Sequence, residues 1–230
     1  MIKPENDQPK TRRDKQKRET REVIREAARS LFDTNGYEAT TIRTIAATAG
    51  VGIGTVHLHF RDKESLLVEC LVDDLYEADR RSWESLPRGV PVREQILHLA
   101  RESYKGWTRK PSLSRVLLSQ MVMSQRPELD RVRALDRSVL ERVTDLLRKG
   151  QERGEIRREV DAALATKAIF SFYLISSLDW LGPAPRAVPI SRDDLTPALT
   201  EAGLDALVDE AGRFLDQLFQ GIGAEKGAGG

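Results

Sequence analysis

The chain has 230 residues, 40% of them apolar, and a formal charge of +1; that is enough to bury a core as one α-helical unit or two small ones. A near-neutral total excludes a global pull toward nucleic acid, and a single cysteine, Cys70, excludes an internal disulfide. No run of about eighteen apolar residues occurs and the N-terminus lacks an apolar signal region, so a cytoplasmic chain without membrane contact is expected.

Residues 1–14, with Pro4, Pro9 and the run Lys10 to Arg13, read as a flexible basic arm. Between Lys10 and Arg29 nine Lys/Arg stand against four Asp/Glu, whereas from Ser191 onward the balance is three against eight. An electropositive N-terminal end suits phosphate neutralisation; a solvated charged helix is the other reading of the interleaved charges after Arg18. Helix one is predicted over Lys15 to Thr34, with Val23, Ile24, Ala27, Ala28, Leu31 and Phe32 as its core stripe and Asn35-Gly36 as its stop.

Residues 41–63 are the most informative stretch. From Thr41 to Ala49, Ile42, Ile45, Ala46 and Ala49 recur at helical spacing, and Gly50 supplies a left-handed turn. The period restarts with Val56 and Phe60 inward, which leaves Ile53, Gly54, His57 and Leu58 outward. Two short helices around a glycine, the second with an uncharged narrow face, suit a helix-turn-helix entering a DNA major groove. The periodicity alone also fits an ordinary helical hairpin.

The wording of the segment goes further. Ala49-Gly50-Val51, Gly52-x-Gly54-Thr55-Val56, His59-Phe60 and Asp62-Lys63-Glu64-Ser65-Leu66 closely resemble the DNA-binding signature of the TetR family of bacterial repressors. The resemblance covers about Thr20 to Leu67, with a weaker echo at Gln151-x-x-Gly154-x-Ile156-Arg157. It implies an all-α fold: an N-terminal three-helix helix-turn-helix DNA-binding head, residues 15–61, continuous with an α-helical ligand-binding and dimerisation body, residues 62–221. A disordered tail is expected over 222–230.

Asp62 is placed to cap a long fourth helix running through Leu66, Leu71, Leu75 and Ala78 toward Trp83, joining head to body without a flexible linker. Further helices are predicted over Val92 to Arg109, Leu113 to Ser124, and from Pro127 to about Gly150–Gly154. Ala162 to Leu181 is apolar around most of its circumference, so it should be buried on more than one side. Gly182 to Thr200 carries four prolines and reads as a long loop, before a last helix over Gly203 to Phe219.

Eight residues are candidates for DNA contact. Thr41 caps the first helix of the motif, and Arg43 suits a guanine or a phosphate. Ile53 can touch a thymine methyl and Gly54 allows close backbone approach. The resemblance assigns Thr55 and Lys63 to phosphates; Lys63 also opens a helix, where a lone cation opposes the dipole. His57 stands where the family usually has tyrosine; its ring N–H can serve the same phosphate, more strongly when protonated, so operator affinity should fall as pH rises. His59 is included, although its place beside Phe60 also suits packing.

The resemblance also implies a small-molecule pocket in the body. Tyr104, Trp107, Met121, Phe172, Tyr173, Ser176 and Trp180 are its candidates for a small hydrophobic or amphipathic ligand, and each also suits the core. Asp179 can pair with a cationic ligand or with an arginine across a dimer. The last two long helices hold more apolar surface than one chain need hide, which points to a homodimer through a four-helix bundle. Phe170, Leu178, Leu207, Ala211, Phe214 and Leu218 are its candidate interface, with purely intramolecular packing as the alternative. No catalytic or metal-ligand spacing is present, so no enzyme, metal or cofactor is expected. The function expected is a dimeric repressor binding a pseudo-palindromic double-stranded operator and released by a ligand; the alternative is a regulator that activates or answers a protein partner.

Overall fold

A computed structural model describes residues 11–182 and 201–220. The expected arm up to residue 10, most of the proline-rich loop and the tail lie outside the described residues. Among the described residues there are nine α-helices, one 3-10 turn and no strand. By internal packing the chain divides into two units, residues 1–71 and 72–230, and the division falls inside the fourth helix.

In the first unit, α1 spans Arg12–Ala39. Its start is set by Thr11, whose Oγ1 accepts the Asp14 amide, so the helix begins inside the stretch expected to be a flexible arm. The predicted stop is real: Gly36 takes φ 77, which only glycine adopts without strain, and a last turn resumes over Tyr37–Ala39. Ile24, Ala27, Ala28 and Phe32 are buried as expected, but Val23 is half exposed, one residue too far around the helix. α2 (Ile42–Thr48), α3 (Ile53–His59) and the start of α4 (Lys63–Glu84) close the core with Ile45, Ala46, Val56, Phe60, Leu66, Leu67 and Cys70. Each fully buried aliphatic side chain here stabilises the unit by roughly 1.5–3 kcal/mol. The α4 start is fixed by a reciprocal cap: Asp62 Oδ1 accepts the Ser65 amide at 2.9 Å and Ser65 Oγ accepts the Asp62 amide at 3.1 Å. Cys70 is sealed, and burial pushes its thiol up to about 12, which leaves it an inert packing group.

The second unit contains the rest of α4, then α5 (Val92–Thr108), α6 (Pro111–Met123), the 3-10 turn Pro127–Leu129, α7 (Asp130–Glu152), α8 (Ala162–Trp180) and α9 (Glu201–Gln220). Val92, Ile96, Leu146, Leu147, Ile156, Ala162, Ala165 and Leu215 form one buried cluster joining α5, α7, α8 and α9. The Gln151-to-Arg157 echo has a physical role in it. Gln151 Nε2 donates to the carbonyls of Arg157 and Val160, Gly154 turns at φ 75, and Ile156 drops into the cluster. Gly150 lets α7 pass α5: a Cβ there would sit 3.0 Å from Val92 and 3.1 Å from Ile156. Glu155 from the same turn accepts the Val92 amide at 2.6 Å, capping α5, which starts behind Pro91 with no cap of its own. Salt bridges Arg93–Asp216 and Arg101–Asp205 tie α5 to α9. Among the described residues no helix is long and apolar enough to cross a membrane, and no cluster of side chains could hold a metal.

Candidate nucleic-acid interface and ligand site

The helix-turn-helix is built from local devices. Thr41 Oγ1 accepts the Thr44 amide at 3.1 Å while Thr44 Oγ1 accepts the Thr41 amide at 3.0 Å, so α2 starts without orphan donors at these positions. Gly50 at φ 67 makes the turn. In α3 only Val56 is buried; Ile53 (43% exposed), Gly54, His57 and Leu58 (76%) form an open face without formal charge. Arg43 on α2 is exposed and Thr55 is half-buried. A Cβ on Gly54 would meet nothing within 4 Å, so packing inside this chain does not demand glycine there.

Two candidates are held by contacts within this unit. Lys63 does not face the α4 dipole alone: its Nζ donates to the Tyr37 carbonyl at 2.8 Å and lies 4.1 Å from the centre of the Tyr37 ring. His59 is half-buried beside Phe60, and its Nδ1 is sealed without a partner. Burial first, then Arg21 and Lys17, hold its pKa below the ordinary histidine value, which suits a packing role. Sequence reasoning missed Arg21. It donates to the His59 carbonyl at 2.7 Å, covers the Phe60 ring at 4.2 Å and pairs with Glu69 at 2.9 Å, fixing the end of α3 between α1 and α4.

In the second unit the ligand candidates separate into two groups. Tyr104, fully buried, packs 5.2 Å from Tyr173 and 6.1 Å from Trp180, and Phe170 extends the group 6.2 Å from Tyr173. Trp107 Nε1 donates to the Tyr173 hydroxyl, which also bonds Ser103. Burial pushes the Tyr173 phenol up to about 12. Phe172, by contrast, stacks on Phe214 of α9 at 4.4 Å. Ser176 Oγ donates to the Phe172 carbonyl and also acts on the Tyr104 phenol, and Met121 is half-buried. A group not foreseen is Asp136 on α7, close enough to act on Tyr173; burial raises its carboxyl to about 6, against the pull of Arg137 and Arg133. Its spacing, four from Val132 and three from Val139, was a signal available in the sequence. Asp179, expected in apolar surroundings, is exposed, because it lies on the outer face of α8.

The expected interface residues are mostly used at home. Leu207 and Ala211 are 6% exposed, since α9 packs on α5 and α8 of its own chain. Phe214 is stacked on Phe172, Leu218 packs on the cluster around Leu215, and Phe170 and Leu178 are half-buried. The apolar surface left open on α8 is instead Leu164 (65% exposed) and Ile175 (55%).

Comparison with known proteins agrees with this architecture. Residues 24–70 match the family model of bacterial regulatory proteins, tetR family, and residues 89–184 match that of the tetracyclin repressor-like C-terminal domain. The chain is 25% identical over 156 residues to the fatty acid metabolism regulator protein of Bacillus subtilis, covering 68% of this chain and 80% of the relative. It is 27% identical over 163 residues to the HTH-type transcriptional repressor KstR2 of Mycolicibacterium smegmatis, covering 70% and 76%. The crystal structure of Thermus thermophilus FadR, a transcriptional repressor in complex with lauroyl-CoA, superposes with a TM-score of 0.62 at 23% identity, over 91% of this chain and 98% of that one. With both its helix-turn-helix unit and its helical body matched, the chain belongs to the TetR family of DNA-binding transcriptional regulators.

Proposed function

We propose that the protein is a dimeric repressor that binds a pseudo-palindromic operator through α3 and leaves it when an amphipathic, acyl-chain ligand enters the second unit. The observation that carries the DNA reading is the open face of α3. Ile53, Gly54, His57 and Leu58 are exposed and bear no fixed charge, on a helix locked from behind by Arg21 and the caps at Thr41 and Asp62. Arg43, Thr55 and Lys63 flank that face as candidate phosphate or base contacts; Lys63 would have to keep or exchange its bond to Tyr37. Exposed Leu164 and Ile175 support the dimer, because covering them would remove from water the α8 face that its own chain leaves open.

The ligand class is supported by the apolar, aromatic group around Tyr104, Trp107, Tyr173 and Trp180, and by the relative that holds lauroyl-CoA. Release follows if ligand favours a body conformation whose two heads no longer match adjacent grooves, since a ligand shifts an equilibrium only by its differential affinity. A protein of this kind works in the cytoplasm. The test is a selection of bound sequences from a random duplex pool, followed by titration of the recovered complex with lauroyl-CoA. A palindrome with half-sites about one turn or somewhat more apart, and loss of the complex on titration, is the expected result. A featureless pool overturns the operator reading, and a complex indifferent to lauroyl-CoA overturns the ligand reading.

A further inference from the structure

The open face of α3 is more apolar than a base-reading surface needs to be. Four residues form it as two neighbouring ridges, each pair four residues apart: Ile53 with His57, and Gly54 with Leu58. Leu58 is 76% exposed and Ile53 43%. One exposed leucine means little on any surface. On this face two large aliphatic groups flank His57, its only side chain able to form a hydrogen bond. Thr55 and His59, the other polar residues of α3, are half-buried, and the His59 Nδ1 is sealed. What covers the face follows from the family: the chain is a DNA-binding regulator, and α3 is the second helix of its helix-turn-helix.

In the major groove base pairs are distinguished by hydrogen-bond donors and acceptors and by one apolar feature, the methyl group of thymine. A face whose sole hydrogen-bonding side chain is an imidazole reads at most one position of the first kind, and none where that ring serves a phosphate. The feature left for Ile53 and Leu58 to sense is the methyl. Gly54 makes room for this: one turn before Leu58 on the same ridge, it carries no side chain to hold the isobutyl group off the base edges. Five residues at about 1.5 Å each set the two aliphatic groups about 7.5 Å apart along the helix, roughly two base-pair steps.

We propose that Leu58 is a specificity-determining residue that reads the methyl group of a thymine, and that with Ile53 it makes each operator half-site depend on two thymines about two base pairs apart. The inference rests on the reading of α3 as the helix that enters the major groove. It is a dependence on a methyl group and not on a hydrogen bond, so uracil isolates it: uracil keeps every hydrogen-bonding atom of thymine and lacks only the methyl.

The test measures fluorescence anisotropy of the full-length protein at fixed salt with the duplex recovered from the random pool. Uracil replaces each thymine of the half-sites in turn. At one position of each half-site the loss should be about fourfold, the effect of one buried methyl group. Leu58→Ala should bind the thymine and uracil duplexes of that position alike, and Leu58→Met should keep part of the difference. A second position, about two base pairs away, should answer to Ile53→Ala in the same way. With a C·G pair at the Leu58 position, methylation of the cytosine at its 5-carbon should tighten binding, and equal binding of the two duplexes overturns the methyl contact. Because Leu58 is exposed, Leu58→Ala should melt at the temperature of the parent; a lower one shows a packing role and overturns the assignment. A specific operator in which uracil is tolerated at every position, or whose sensitive positions ignore Leu58→Ala, overturns the proposal and leaves the operator reading standing. A featureless pool overturns both.

Discussion

Gly54→Ala separates the two reasons a glycine can occupy a helix. Gly54 is the second residue of α3 and does not need a left-handed backbone, and an added Cβ would meet nothing within 4 Å. The free protein should therefore gain from the substitution. Glycine costs roughly 0.5–1 kcal/mol against alanine inside a helix, and at the first turn of a seven-residue helix the lower end applies. A gain of about 0.5 kcal/mol corresponds to a rise of about 1–2 °C in melting temperature for a chain of this size. DNA affinity should move the other way. If α3 lies in the major groove with its N-terminal end nearest the bases, a methyl group at Gly54 holds the backbone off the duplex and costs about 1–3 kcal/mol, a loss of about tenfold or more. The assay is fluorescence anisotropy with the selected operator at fixed salt, alongside thermal unfolding, because affinities at different salt are not comparable. A variant that is slightly more stable and binds as tightly as the parent refutes the placement of α3. A variant that is clearly less stable refutes the reading of open space around Gly54.

Substitutions at three further positions test the packing that carries these surfaces. Asp136 has a carboxyl raised to about 6 by burial, so its protonated form favours folding; that stability is complete below the unfolded value near 3.8 and is lost as pH climbs through 6. Asp136→Asn should stabilise the protein by up to about 2 kcal/mol at pH 7.5 and by less at pH 5, and an equal gain at both would exclude charge burial as the cause. Arg142 bonds both carboxylate oxygens of Asp79, at 2.8 and 2.7 Å, and covers Trp83 at 4.5 Å, while Trp83 Nε1 donates to the same Asp79. Urea unfolding of Arg142→Ala should show a loss of about 1–2 kcal/mol, and Arg142→Lys should recover only part of it, because an ammonium can reach Asp79 but cannot also hold the Ser138 carbonyl and lie flat on Trp83. Gly150→Ala should cost about 1 kcal/mol despite better helix propensity, since its Cβ would press on Val92 and Ile156; a more stable variant would show that these side chains yield freely.

How much of this was legible in the sequence depended on the range of the interaction. The helix-turn-helix could be read residue by residue because its devices are local: Thr41 with Thr44, Gly50 at the turn, Asp62 with Ser65. Lys63 and Arg21 could not, since the carbonyls they hold lie 26 and 38 residues away and no spacing rule reaches that far. Arg115 was hidden for a related reason. One arginine in the run Leu113 to Leu118 reads as a residue that will turn toward water, and only the folded second unit leaves it 9% exposed with its Nη2 beside Gly182.

The last two helices show where periodicity misleads about partners. Both carry apolar side chains in plenty, and the surplus was read as an interface shared equally by α8 and α9. A hydrophobic stripe records only that a face is covered and says nothing about which chain covers it. For α9 the cover is α5, held by Arg93–Asp216 and Arg101–Asp205, and these pairs lie too far apart in sequence to be anticipated from its stripe. For α8 the surplus was real, because side chains spread around the whole helix cannot all face one neighbour, and Leu164 and Ile175 remain open. In the proposed dimer this α8 face is the one to be covered, and a charge placed at Ile175 should weaken self-association while a charge at the already buried Leu207 should unfold the unit. Sedimentation of Ile175→Glu that matches the parent would place the shared surface elsewhere.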